Sequence, residues 1–292
     1  MRKAMQKEVS QFIAGDPLTS LFLVDIGVWA FRDLLLEYPE RVKNIGIFEP
    51  GTISIAAGLS LSGVTPVVYG ISPFIVQRSL EQLKLDFVYQ GTGGNFITTG
   101  ASYDFSTLGY SHYCPEDVMT LKTLPGFEIL TPATPGQFTT LFHACAKNGL
   151  PTYFRMTDHC NKNEVDVDYG KAKVLRQGQK GTVAVWAEML DAVIEACGGM
   201  DVSILYFTSA VPFDYGALRQ YAGRKLVLCH PFYEGTFSDD IQKLGGGLPE
   251  ICEIAVPKKV LRSYGTKEEK DLGLSLTPEA IKCRIQDFLD RA

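Results

Sequence analysis

Between Glu49 and Arg78 the chain carries no charged residue, a stretch long enough to cross a bilayer. Such a run must be buried, either in lipid or in a protein interior. Gly51, Gly58, Gly63, Pro66, Gly70 and Pro73 interrupt it, with several Ser and Thr between them. That punctuation divides it into a helix of small residues (ISIAAGLSLSG), a strand (TPVVYG) and the start of a second helix (SPFIVQ). The stretch reads as protein core, and no membrane association is expected.

The same alternation runs through most of the chain. A polar opening helix leads to the strand LFLVD, a helix from Trp29 to Tyr38, and the strand NIGIF. SPFIVQRSLEQLKLDF reads as one helix, GGNFITTG as a strand, PEDVMTLKTL as a helix and FEILTPA as a strand. GQFTTLFHACAKNG and PTYFRMT add a last helix and strand. The polar run from His159 to Gly181 breaks the rhythm, and a second, smaller alternation follows: TVAVWAE, VSILYFTSA, KLVLCHPF and EICEIAVP, with helices between and a closing helix from Pro278. The expected class is α/β with two domains, 1–168 and 169–292, each a mainly parallel sheet flanked by helices.

A net charge of -5 offers no basic face for nucleic acid. Seven cysteines, none in a CxxC, lie mostly inside apolar runs. They read as buried thiols of a reducing compartment, the cytoplasm, and the polar N-terminus lacks the apolar core of a signal peptide.

NIGIFEPGTISIAAGLSLSG, FIVQRSLEQ and LGYSHYCPEDVMTLKTLPGFEILTPA, in that order, resemble the pyrimidine-binding domain of transketolases, deoxyxylulose-phosphate synthases and the beta subunits of 2-oxoacid dehydrogenases. The residues beyond about 170 resemble the family's C-terminal domain. The resemblance implies a thiamine diphosphate enzyme. Glu49 falls on the glutamate that bonds the aminopyrimidine and controls its tautomer, while the cofactor itself carries the carbanion chemistry. A carboxyl group in an uncharged neighbourhood suits that proton exchange. Phe74 falls on the aromatic residue that stacks on the ring. Ile71 and Gln77 lie where further aromatics are common, and Asp25 where an aspartate stands near the pyrimidine edge. His112 falls on the last histidine of the substrate loop, with a role in substrate contact or proton transfer. Cys114 and Glu116 are expected to pack and cap the next helix, and His143 to be structural; His159 and His230 are left unassigned.

Three departures affect the substrate side. Ser106, Thr107, Leu108 and Gly109 replace the acidic loop that reads a sugar hydroxyl. Gly100 falls near an earlier histidine, and Asp158 near a phosphate-binding arginine. An aspartate repels phosphate, and Arg155 would reach the same pocket only with a shifted register. These changes suggest a modified or unphosphorylated sugar as the small-molecule substrate.

The chain contains no GDG motif, the element that holds the diphosphate and Mg2+ in this family. GGGLPE at 245–250 reads as a loop, not a phosphate cradle. The expected partner is a separate transketolase subunit of the N-terminal type that carries the GDG motif, in an α2β2 assembly. The leading function is two-carbon ketol transfer as the beta subunit of a split transketolase-like enzyme. The alternatives are a beta subunit of the 2-oxoacid dehydrogenase type, a deoxyxylulose-phosphate-synthase-like enzyme, or a non-catalytic assembly subunit.

Overall fold

Short runs of Val, Ile, Leu and aromatic residues with little alternation are the pattern of strands covered on both faces. In the computed structural model, which describes residues 1–245, 247 and 249–291, six such runs form a parallel sheet. They are β1 (Thr19–Leu23), β2 (Val42–Asn44), β3 (Thr65–Ile71), β4 (Gly94–Thr99), β5 (Glu128–Leu130) and β6 (Pro151–Arg155). Their order is β5-β6-β4-β3-β1-β2. Because all six are parallel, the loops after them open on one edge.

The helix Glu49–Leu61 shows how the uncharged stretch is used. Pro50 sits in its first turn, where a missing N–H costs nothing. Ile53, Ala56 and Ala57 are buried against the sheet, and Gly63 at φ +88° closes the helix as glycine can without strain. The uncharged character thus belongs to a helix-on-sheet layer. Among the described residues, no helix is long and apolar enough to cross a membrane.

The second half supplies β7 (Lys173–Arg176), β8 (Thr182–Trp186), β9 (Ser203–Phe207), β10 (Ser209–Val211), β11 (Lys225–Tyr233) and β12 (Glu250–Val256). Five of them form a sheet ordered β12-β11-β8-β9-β7, with β7 antiparallel at its edge. β10 instead joins the first sheet, antiparallel to β5.

Several local expectations change. VSILYFTSA is not one strand: at Thr208 the chain leaves the second sheet, and β10 extends the first. The polar run after His159 contains β7, whose residues are only half-buried as an edge strand allows. A helix at Lys267–Gly273, closed by a Thr266–Glu269 capping box, lies where no element was read. SPFIVQRSLEQLKLDF is broken into Ser72–Val76, Leu80–Gln82 and the wide turn Leu83–Val88. In the GGGLPE loop, Gly246 and Leu248 lie outside the described residues.

Arg155, the last residue of β6, ties the two halves together. Its side chain is fully buried. Nε donates to Asp117 Oδ2 at 2.9 Å, Nη1 to Glu188 Oε2 at 3.2 Å, and Nη2 to Ser102 Oγ at 2.5 Å. Tyr153 Oη also donates to Asp117, at 2.9 Å. Asp117 opens the helix Asp117–Leu121 and Glu188 follows β8, so one guanidinium spans both sheets. The sequence allowed Arg155 into the substrate pocket only through a shifted register, and no such shift occurs: three anchors hold it inside. Removing one partner of a buried charge cluster strands the others. Arg155→Ala is predicted to cost about 3–5 kcal/mol, read as a lower denaturant midpoint; a loss near zero would show that the cluster does not join the halves.

Candidate active site

In an open parallel sheet, ligands sit beyond the carboxyl ends of the strands, where the strand order reverses. Here the order reverses between β1 and β3. Asp25 follows β1, Glu49 follows β2, Phe74 follows β3, and the loop bearing His112 follows β4. One sheet edge thus collects residues far apart in sequence.

Glu49 is the first residue of its helix and only 2% exposed. Its Oε2 accepts from Arg78 Nη1 at 2.7 Å. Arg78 lies with its guanidinium carbon 4.1 Å from the centre of the Phe74 ring. His112 meets the same ring edge-on, with centroids 5.3 Å apart. Glu49, Phe74 and His112 are therefore linked within one patch. The neighbourhood of Glu49 is not uncharged as the sequence suggested, because Arg78, the first charge after the uncharged stretch, folds back onto it. Sequence reasoning overlooked Arg78 as a site residue. The available signal was its position four residues after Phe74, a spacing that brings side chains together where the chain is helical.

The remaining candidates lie around this patch. His112 is half-buried, and its Nδ1 shares a hydrogen bond of 3.0 Å with Ser111 Oγ. Gln77 is exposed and donates from Nε2 to Glu116 Oε1. Glu116 therefore does not cap its helix through the side chain, and burial raises its pKa above the usual carboxylate value. Asp25 is exposed, at φ +60°, a strained setting for a side-chain-bearing residue. It is held by its N–H on Asn44 Oδ1 at 3.0 Å. The structure places it on the same edge, but none of its hydrogen bonds among the described residues reach Glu49 or Phe74.

The substrate-side departures have local reasons. At Gly100, φ +81°, an added Cβ would lie 2.6 Å from the Phe105 ring, so no histidine fits there. Asp158 is paired with Arg2 of the opening helix, whose Nε donates to Oδ1 at 2.9 Å. Arg2 also lies 6.0 Å from the Phe105 ring, and Phe105 lies 6.5 Å from His112. An ion pair thus stands at the far end of the row that starts at Glu49.

The other histidines do not join this row. His230 is fully buried, with Nε2 2.9 Å from Glu253 Oε1, and burial lowers its pKa below the ordinary value. His143 is 65% exposed and pairs at 2.7 Å with Glu8 of the opening helix, holding that helix in place. His159 is half-buried, and its N–H donates to Thr157 Oγ1 at 3.0 Å.

The chain belongs to the transketolase pyrimidine-binding domain family, whose model matches residues 2–159. It has the two-domain form of the C-terminal half of a split transketolase-like enzyme, a component of a transferase. A relative from Rhodococcoides fascians, an uncharacterized 33.6 kDa protein in the fasciation locus, is 29% identical over 99% of this chain and 95% of its own length. One of the subunits of the apulose-4-phosphate transketolase from Actinobacillus succinogenes is 27% identical over 62% of this chain, which spans 61% of that protein. Among solved structures, a split-gene transketolase described as an inactive β4 tetramer superposes with a TM-score of 0.84 at 20% identity, covering 99% of this chain and 97% of that one.

One carboxylate near this edge has an unusual setting. Asp104 is half-buried and accepts from Thr157 Oγ1 at 3.2 Å and from the Asp158 N–H at 2.9 Å. Burial and then the neighbouring Glu188 carboxylate push its pKa up to about 7. The folded state holds this proton more tightly than the unfolded chain, whose ordinary value is 3.8. The ionised side chain therefore penalises folding increasingly as pH rises from about 4 through 7. Asp104→Asn is predicted to raise the thermal midpoint at pH 8, with the gain shrinking toward pH 4. Melting curves at both pH values check this, and a difference that does not change with pH would rule it out.

Proposed function

We propose that this chain binds the aminopyrimidine of thiamine diphosphate and, with a separate diphosphate-binding subunit, transfers a two-carbon ketol unit between sugars. The observation that carries the reading is the spatial pairing of Glu49 with the Phe74 face. One planar, hydrogen-bond-donating group, the Arg78 guanidinium, reaches both at once. An aminopyrimidine ring has the same requirements, so the residues fit the cofactor's ring. When bound, thiamine diphosphate supplies the carbanion chemistry. Glu49 would hold the proton on the ring nitrogen, Phe74 would fix the plane of the ring, and Asp25 would stand near its edge. Gln77 is proposed only as a neighbour, since it faces Glu116. His112, edge-on to Phe74, would exchange a proton with the substrate.

The diphosphate and Mg2+ are assigned to the partner, because this sequence has no GDG motif. The similar split-gene structure, described as an inactive β4 tetramer, supports a beta-type chain that depends on a second chain, and an α2β2 assembly follows as the proposed holoenzyme. The division at 168/169 is proposed as the domain boundary, and the cytoplasm as its location. For the substrate, the Arg2–Asp158 pair supports a modified sugar or one without a terminal phosphate. Relatives named as components of an apulose-4-phosphate transketolase and of a 6-deoxy-6-sulfo-D-fructose transketolase support a specialised sugar. Deoxyxylulose-phosphate synthases are more distant matches, at 22–26% identity over 80–87% of this chain, and that reaction is the second choice.

Glu49→Gln keeps the shape and removes the ionisable group. In the reconstituted complex it is predicted to lower kcat by about a hundredfold or more, with the melting temperature nearly unchanged. Turnover equal to that of the wild type would instead favour a non-catalytic assembly role.

A further inference from the structure

Arg78 presents an unusual combination of contacts. Its guanidinium donates to the buried Glu49 carboxylate at 2.7 Å and lies 4.1 Å above the Phe74 ring, while its side chain remains 42% exposed. Those are the two groups through which the proposed site would grip a flat heterocycle. Two planar groups cannot occupy one ring face, and Glu49 Oε2 is already engaged by Arg78. The other end of the patch is closed by His112, edge-on to Phe74 at 5.3 Å.

The backbone around Arg78 is anchored, while its side chain is 42% exposed. The Arg78 N–H bonds to the Pro73 carbonyl at 3.3 Å, and the preceding Gln77 N–H to the same carbonyl at 2.9 Å, so both are held at the end of the short helix. Beyond that anchor, among the described residues, the guanidinium has only Glu49 as an ion-pair partner and Phe74 as a stacking partner. It can therefore swing into solvent without breaking any other ion pair or side-chain hydrogen bond among the described residues. Left alone, Glu49 would be an unpaired carboxylate in a nearly inaccessible position, a costly arrangement that the arginine relieves.

We propose that Arg78 is a place-holder for the aminopyrimidine: in the cofactor-free protein, alone or with its partner, its guanidinium fills the space between Glu49 and Phe74, and the ring enters as that side chain swings out. The proposal rests on the reading of Glu49 and Phe74 as the pyrimidine site. It adds that the cofactor-free protein keeps this site closed with its own residue, and that part of the cofactor's binding energy is used to displace it. The apparent affinity falls by the fraction of molecules in which the site stands open.

The test is the dissociation constant of thiamine diphosphate, measured with Mg2+ by isothermal titration on this chain assembled with its diphosphate-binding partner. Wild type, Arg78→Ala, Arg78→Lys and Phe74→Ala are compared. Arg78→Ala is expected to bind roughly three- to tenfold tighter, the scale of a half-exposed ion pair plus a cation–π contact. Arg78→Lys keeps the charge without the planar fork and should fall between Ala and wild type. Phe74→Ala should bind more weakly. If both Arg78 variants bind as the wild type does or more weakly, while Phe74→Ala still loses affinity, the place-holder is overturned and the pyrimidine site stands. If Phe74→Ala binds as the wild type does, or no protein binds thiamine diphosphate, the site reading fails and the place-holder with it.

Discussion

The ion cluster around Arg155 is the interaction on which the site geometry depends. One buried guanidinium joins the end of β6, the helix start at Asp117, the loop at Ser102 and Glu188 of the second sheet. Ser102 and Asp117 bracket the loop that carries His112. A further link holds that loop, since the Cys114 N–H bonds to the Ser102 carbonyl at 2.7 Å. Holding both ends fixes where His112 meets Phe74. Buried charges of this kind bring little net stability, because desolvation offsets their attraction. Their contribution here is positional: each partner can be satisfied in only one arrangement of the two sheets.

A second constraint comes from close packing at the sheet edge. Gly100 admits no side chain beside Phe105, and at Gly51 an added Cβ would lie 1.9 Å from the Phe48 ring. Asp25 and Ser102 both hold positive φ, and such strain persists only where the surroundings overdetermine the backbone. One end of the edge is built from Glu49, Phe74 and Arg78, the proposed cofactor side, and the other from His112, Phe105 and the Arg2–Asp158 pair, the proposed substrate side. The opening helix therefore contributes a charged group to the site in addition to its packing role.

Much of this was legible in the chain itself. The uncharged stretch, broken by Gly and Pro, announced a helix and a strand in a buried layer, and alternating segments announced two α/β units. Glu49, Phe74 and His112 stood out through the order of short motifs. What the sequence hid were contacts between distant segments. Nothing local marks Arg2 as the partner of Asp158, since 156 positions separate them. Alternation already turned Arg155 away from the substrate pocket unless the register shifted, but it could not show that three anchors wait on the inner side. β10 was invisible for a related reason: a strand-like run does not reveal which sheet it joins. Arg78 is marked locally only by its spacing from Phe74, while its bridge to Glu49 crosses 29 positions.

This chain is proposed to contribute the pyrimidine half of a cofactor site completed by another polypeptide. The most direct measurement is the stoichiometry of thiamine diphosphate with Mg2+ at equilibrium, taken on the purified chain and on its complex with the diphosphate-binding partner. The account predicts no stoichiometric binding by the chain alone and one cofactor per heteromeric pair in the complex. One cofactor bound per chain in the absence of any partner would contradict it.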